Sequence, residues 1–263
     1  MNLFATHNSE ASRLRQCLKG LARSPLVGCA FAALSLAGAE VRVTQPNPRL
    51  AAAHEGFLVD QQRIADDPTN HLAIAEFARA AFERAEFSTN DTERAALAVQ
   101  GIAASRRLVA SDPKSASGHD YLGLNLGQMA RTKLLGALRI VDEMEREFKL
   151  ARTLSERLDH AGPDRCLGLL YFEAPVIGSV GSRTKARKHL ERAIELAPEY
   201  PPNRMNLAEA YLKWREKNLL KRELEALEKL WPRAKLNLPD ADWPAWSRRW
   251  LQLKTNAAGL LKN

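Results

Sequence analysis

Leu167-Gly168-Leu169-Leu170-Tyr171-Phe172-Glu173-Ala174-Pro175-Val176-Ile177-Gly178-Ser179-Val180-Gly181-Ser182-Arg183-Thr184-Lys185-Ala186 reads as one helix, an unusually long glycine-bearing loop and the start of a second helix. The Leu-Gly pair followed three residues later by an aromatic is a packing device. The small residue lets a second helix approach, while the leucine and the ring fill the space beside it. The device recurs. Forty residues on, Leu207-Ala208 is followed by Tyr211; forty-five residues back, Leu122-Gly123 is followed by Leu126; forty-five before that, Phe77-Ala78 is followed by Ala81. The matching second helices carry Ala186 and Leu190 before Pro198, and Leu220 and Leu224 before Pro232. A proline lacks the amide and clashes with the preceding turn, so it closes each pair.

Working outward, everything from Leu50 onward is helical in period, with breaks at Asp67-Pro68, Asp112-Pro113, Gly162-Pro163, Ala197-Pro198, Trp231-Pro232 and Trp243-Pro244. No alternating strand of useful length stands between them. The pattern resembles the tetratricopeptide repeat, with its Leu-Gly pair, aromatic, later Ala and large apolar residue, and closing Pro. It predicts an all-α fold: a right-handed helical-hairpin solenoid in one domain over 50–263, clearest in the pairs 163–198 and 201–232. The earlier pairs are degenerate. Gly101 and Ser105 stand where Ala and a large apolar residue belong, which leaves a generic helical bundle open for residues 50–160. Against a period of about 34, the spacings of 45, 45 and 40 imply insertions of eleven, eleven and six residues. The first two are expected to lengthen the second helices, Asp91 to Ala110 and Ile140 to His160. The latter carries an apolar stripe at Val141, Met144, Phe148, Ala151, Leu154 and Leu158. The third is the loop quoted above. Trp243, Trp246 and Trp250 share one face of a final helix in 240–262, read as a cap over the open end of the array, with an aromatic platform for a sugar or a membrane as the alternative.

The formal charge of +8 is not a nucleic-acid signature. Without the first 39 residues, 35 Lys+Arg face 30 Asp+Glu, and no basic block survives. Those 39 residues form a basic region ending at Arg23, an apolar run from Leu26 to Leu36 and the small residues Ala37-Gly38-Ala39, the order of a signal peptide cleaved after Ala39. A buried N-terminal helix is the competing reading. Leu26-Val27-Gly28-Cys29 resembles a lipoprotein signal, yet almost no apolar segment precedes Cys29, so membrane anchoring enters only if that cysteine is lipidated. The expected location is periplasmic or secreted, with an extended linker over 40–49. Cys166 then remains as a lone cysteine in a helix pattern, expected to be packed in the interior.

Gly178-Ser179-Val180-Gly181-Ser182-Arg183-Thr184-Lys185 fails as a phosphate-binding loop, which needs four residues between its glycines, a Gly-Lys-Ser/Thr ending and a preceding strand. Ser182 or Ser179 reads instead as an N-cap. The positive end of the helix beyond it, with Arg183 and Lys185, is a candidate anion site. The histidines show no zinc spacing, no nucleophile elbow is present, and paired carboxylates lie in helical or capping contexts. No catalytic residue, cofactor or metal is expected. What remains is a binding surface. If the first helix of each pair lines a concave groove, its candidate residues are Asp120, Leu124 and Gln128; Arg165, Leu169, Phe172 and Glu173; Met205, Glu209 and Lys213. A solvated inner face with no single ligand is the alternative for any one of them.

From about Phe77 to Trp214, and above all from Gly162 to Lys213, the chain resembles the accessory T-component proteins of tripartite ATP-independent periplasmic (TRAP) transporters. The likeness implies an extracytoplasmic, non-enzymatic scaffold that docks a periplasmic solute-binding protein, in some members as a homo-oligomer. A second reading, from the long helices themselves, is a carrier of a small or lipidic ligand in a cavity closed by the 175–182 loop.

Overall fold

Short polar side chains set half of the helix starts. Asn70, Asn90, Ser115, Ser182 and Asp242 each sit just before a helix and accept a hydrogen bond from the amide three residues on, each stabilising its helix by about 1 kcal/mol. Prolines in the first turn mark the starts of the helices at Gly162 and Pro201 and reinforce that at Trp243, because the amide they lack has no helical partner there. The computed structural model describes residues 48–133 and 136–262, so the signal segment and most of the linker lie outside the described residues. Ten helices follow in these residues: α1 (Pro48–Asp66), α2 (His71–Ala85), α3 (Asp91–Ser111), α4 (Ala116–Arg131), α5 (Ala137–Leu154), α6 (Gly162–Glu173), α7 (Arg183–Leu196), α8 (Pro201–Trp214), α9 (Lys217–Asn237) and α10 (Trp243–Leu261). Each packs on its neighbours in sequence, and α4 also packs on α2, so the helix pairs stack into a solenoid. An ion pair of 2.5 Å joins Arg49, in the first turn of α1, to Asp242, the cap of α10.

The repeated small residues do what their spacing predicts. A Cβ added at Gly168 would lie 2.7 Å from Leu190 Cγ, and one at Gly123 would lie 2.5 Å from Phe148 Cε1. Both glycines therefore set the contact distance inside a helix pair. The degenerate repeat has its own reason. Gly101 leaves room for Asn125, whose buried amide donates to the carbonyls of Ala78 and Tyr121, each at 2.9 Å. A polar clasp replaces the expected Ala and large apolar residue.

Three boundaries differ from expectation. α1 begins at Pro48 rather than after 49, since proline is tolerated in a first turn. α5 stops at Leu154, six residues short of His160, and Leu158 falls outside it. Asp159, His160 and Ala161 instead take left-handed backbone angles, φ 45°, 52° and 65°, which turn the chain into Gly162-Pro163. α9 runs through Pro232 to Asn237 instead of closing there. The tryptophan next to that proline explains the continuation. Trp231 packs against Trp243 and Trp250, at 5.4 and 6.0 Å between ring centroids, and Ala234 is buried one turn on. Trp243, Trp246 and Trp250 are all buried, so their faces are not open as a ligand platform.

Candidate functional site

The residues proposed for a concave groove divide into two groups. Asp120, Leu124, Gln128, Arg165, Leu169 and Met205 are buried and line no open surface. Their positions face the neighbouring helix of the array, where the packing of successive pairs closes over them. Gln128 donates to Glu86 and accepts from Arg131 at 3.2 Å. Glu209 is held by the Arg249 guanidinium through bonds of 2.8 and 3.1 Å. Burial pulls Arg249 down to about 10, with Arg165 adding like-charge repulsion against the opposing influence of Tyr200.

Arg165, with 0 % exposure, is a clasp for the left-handed turn. Its Nη1 donates to the carbonyls of Asp159 (3.0 Å) and His160 (3.1 Å), its Nη2 donates to the Asp159 carboxylate, and its guanidinium lies 5.2 Å from the Tyr200 ring centroid. Asn203 donates to the carbonyls of His160 and Ala193 from the other side, and the His160 ring stacks on Tyr200 at 4.4 Å. Non-glycine left-handed residues cost roughly 1–2 kcal/mol each, and this set of contacts offsets that cost. Burial pushes the Asp120 carboxyl up to about 7, reinforced by the charge of Asp159 and opposed by Arg165.

Phe172, Glu173 and Lys213 behave differently: Glu173 is buried, but the three are joined to one another and, through Trp214, to the cations that open α7. The Lys213 ammonium lies 4.5 Å from the Phe172 ring centroid and 3.7 Å from the Glu173 carboxylate. Phe172 meets Trp214 edge-on at 5.7 Å. Over Trp214 stand Arg183 (5.0 Å) and Arg187 (5.6 Å), and both guanidiniums donate to Glu216. Lys185 lies 5.0 Å from the Tyr171 ring, and Arg187 also covers Tyr211 at 5.5 Å. Tyr171 and Tyr211 occupy equivalent places in successive repeats, donating to Glu145 (2.6 Å) and Glu191 (2.9 Å). Burial raises both phenols above their ordinary range, and the neighbouring carboxylates add to it. For the Glu216 carboxyl, burial works upward, but Arg183 and Arg187 overcome it and hold the group below its usual range.

This array of rings and cations forms one rim, at the ends of α6 and α8 and the start of α7. The loop 174–182 projects from it. Gly181 donates its amide to Pro175 O (3.1 Å) and Ser182 to Tyr171 O (2.9 Å), which staples the loop shut at its base. A Cβ on Gly181 would run into the carbonyls of Ala174 and Pro175, and Gly178 takes φ 76°. Val180 packs against the core, while Val176 and Ile177 at the tip are 73 % and 94 % exposed. Ser182 caps α7 by accepting from Lys185 N at 3.3 Å. The anion reading of this loop gains no support, since Arg183 and Lys185 already lie against rings and carboxylates of their own chain.

Sequence reasoning missed Val176, Ile177, Arg187, Trp214 and Glu216. A signal was present. The end of a first helix and the start of a second helix lie on the same edge of a repeat array, so the basic segments 183–188 and 213–217 had to be neighbours. Elsewhere, an open cleft of about 430 Å³ is lined by Arg152, Asp164, Arg187, His189 and Arg192 among others. Two of its arginines are taken up internally: Arg152 by Asp164, which also bonds the His189 ring, and Arg192 by Glu156 and Glu195. No group of three or more metal-ligating side chains and no helix able to cross a membrane occurs among the described residues. Cys166 is buried.

No protein-family model matches the chain, and no curated protein matches it. Solved structures do. A thermophilic TPR protein of Thermus thermophilus superposes with a TM-score of 0.55 over 81 % of this chain and 93 % of its own, at 19 % identity. MamA aligns over 71 % of this chain and 91 % of its own, at 16 % identity and a TM-score of 0.45. The helix order, the glycine contacts and the first of these likenesses together establish a tetratricopeptide-type helical fold.

Proposed function

We propose that this chain is a non-enzymatic scaffold that docks a partner protein through the rim formed by Phe172, Lys213, Trp214, Arg183, Lys185, Arg187 and the 174–182 loop. One observation carries the reading. Val176 and Ile177 are held almost fully in solvent on a loop stapled at its base, next to cations fixed over aromatic rings. Burying two such side chains against a partner is worth about 1.5–3 kcal/mol each, and fixed cations lose little entropy on pairing. The carrier reading needs a cavity along the long helices, and α5 offers packed core instead. Val141, Met144, Phe148 and Ala151 fill the region between α5 and its neighbours.

The signal-like order of the first 39 residues supports an extracytoplasmic place of work for such an adaptor. The likeness to the TRAP T-component proteins supports a periplasmic solute-binding protein as the partner. The test is recovery of a secreted protein from native envelope extract by immobilised full-length chain, wild type beside Lys213→Glu and Ile177→Ser. Capture of one protein by the wild type, lost in both variants, supports the reading. Equal capture by all three overturns the rim, and no recovery by any overturns the adaptor. Arg165→Ala is not a usable probe, because Arg165 is a buried clasp.

A further inference from the structure

Resting on the rim as the docking site, we infer that its partner presents an apolar recess bordered by carboxylates on a folded surface, rather than a peptide laid along a groove. The shape argues first. The tip at Val176 and Ile177 is convex and exposed on a stiff loop, so its complement is a hollow. A peptide bound along the first helices would need the inner face open, and Asp120, Gln128, Arg165 and Met205 are buried there.

Charge argues next. Segments 183–188 and 213–217 contain the cations Arg183, Lys185, Arg187, Lys188, Lys213, Arg215 and Lys217 and the single carboxylate Glu216. Glu216 binds Arg183 and Arg187 and so draws the two segments together. Glu145 and Glu173 take up part of the charge of Lys185 and Lys213. Lys188, Arg215 and Lys217 have no ion pair among the described residues, which leaves the rim strongly positive. Several of the cations are fixed by rings and by Glu216 rather than free to move. A fixed pattern selects a fixed opposing pattern on a protein, and a fluid layer of lipid headgroups makes no use of it.

The test replaces Ile177 in the full chain with the photoreactive residue benzoylphenylalanine, beside a control at Leu251, which is 64 % exposed on α10. After irradiation in native envelope extract, the cross-linked residue is mapped by mass spectrometry. Flotation with phosphatidylglycerol and with phosphatidylcholine vesicles runs in parallel. The expected result is a cross-link from position 177, absent from 251, to an apolar recess of one folded protein with Asp or Glu around it. Its yield should fall about tenfold from 50 to 500 mM salt. A cross-link to an extended segment, or to a recess without carboxylates, overturns the inference but leaves the adaptor standing. Flotation with phosphatidylglycerol alone overturns it in favour of a membrane. No cross-link at 177 from a chain that still captures its partner overturns the rim itself.

Discussion

The pairs α4/α5 and α6/α7 are built on one device and spend their extra residues differently. In each, a glycine of the first helix lies under a large apolar side chain of the second, Gly123 under Phe148 and Gly168 under Leu190. In α4/α5 the added length makes helix. α5 carries Val141, Met144, Phe148 and Ala151 into the interior, so the insertion becomes core. In α6/α7 the added length makes the 174–182 loop, whose tip leaves Val176 and Ile177 in water. An insertion inside a helix is absorbed by packing; one between helices becomes surface. The contrast separates what folds this molecule from what it offers a partner.

Predictions follow from that contrast, and the largest effects belong to the interior. Phe148→Ala should cost about 3–5 kcal/mol, because the ring fills the space that Gly123 leaves; a loss under about 1 kcal/mol in urea denaturation would break the claim that the α5 insertion is core. Arg165→Ala should cost a similar amount, about 3–5 kcal/mol. It strands the Asp159 carboxylate and frees the left-handed turn, and protease sensitivity between α5 and α6 reports it directly. Gly181→Ala should cost about 1–3 kcal/mol, since its Cβ meets backbone carbonyls. Exchange of the loop amides should quicken more than that of α5.

A pH experiment reads the interior alone. Burial raises the folded carboxyl of Asp120 to about 7, well above the usual carboxylate range. The folded state therefore binds the proton more tightly than the unfolded one. This group's contribution is full below about 4 and is lost as pH rises through about 7. The urea midpoint of the wild type should fall from pH 5 to pH 8, and Asp120→Asn should flatten that fall. An unchanged slope in the variant would assign the pH dependence to another group.

Much of the fold was legible because its determinants are local. Leu-Gly-x-x-Tyr spacing, prolines and short polar caps act within a few residues of themselves, and they located nearly every helix. The misses came from distant contacts. By local rules Pro232 is a stop, but Trp231 is held by Trp243 and Trp250 across the next turn of chain. The end of α5 depends on Arg165 and Asn203 clasping a strained turn. The groove failed for the same reason. Periodicity assigns a face to Arg165 and Asp120, yet it does not show whether the neighbouring pair covers that face. In sequence the loop residues Gly178, Gly181, Ser182, Arg183 and Lys185 suggest an anion site, and their place in the fold gives them a different setting.

The smallest expected change in stability and the largest in binding fall on the same two residues. The measurement that bears most directly on the account is partner capture from native envelope extract by a Val176→Ser/Ile177→Ser double variant, at equal folded concentration with the wild type. The predicted result is a urea midpoint within about 0.5 kcal/mol of wild type and capture reduced at least about tenfold, as expected for the loss of more than about 1.4 kcal/mol at an interface. Full capture by the double variant would contradict it.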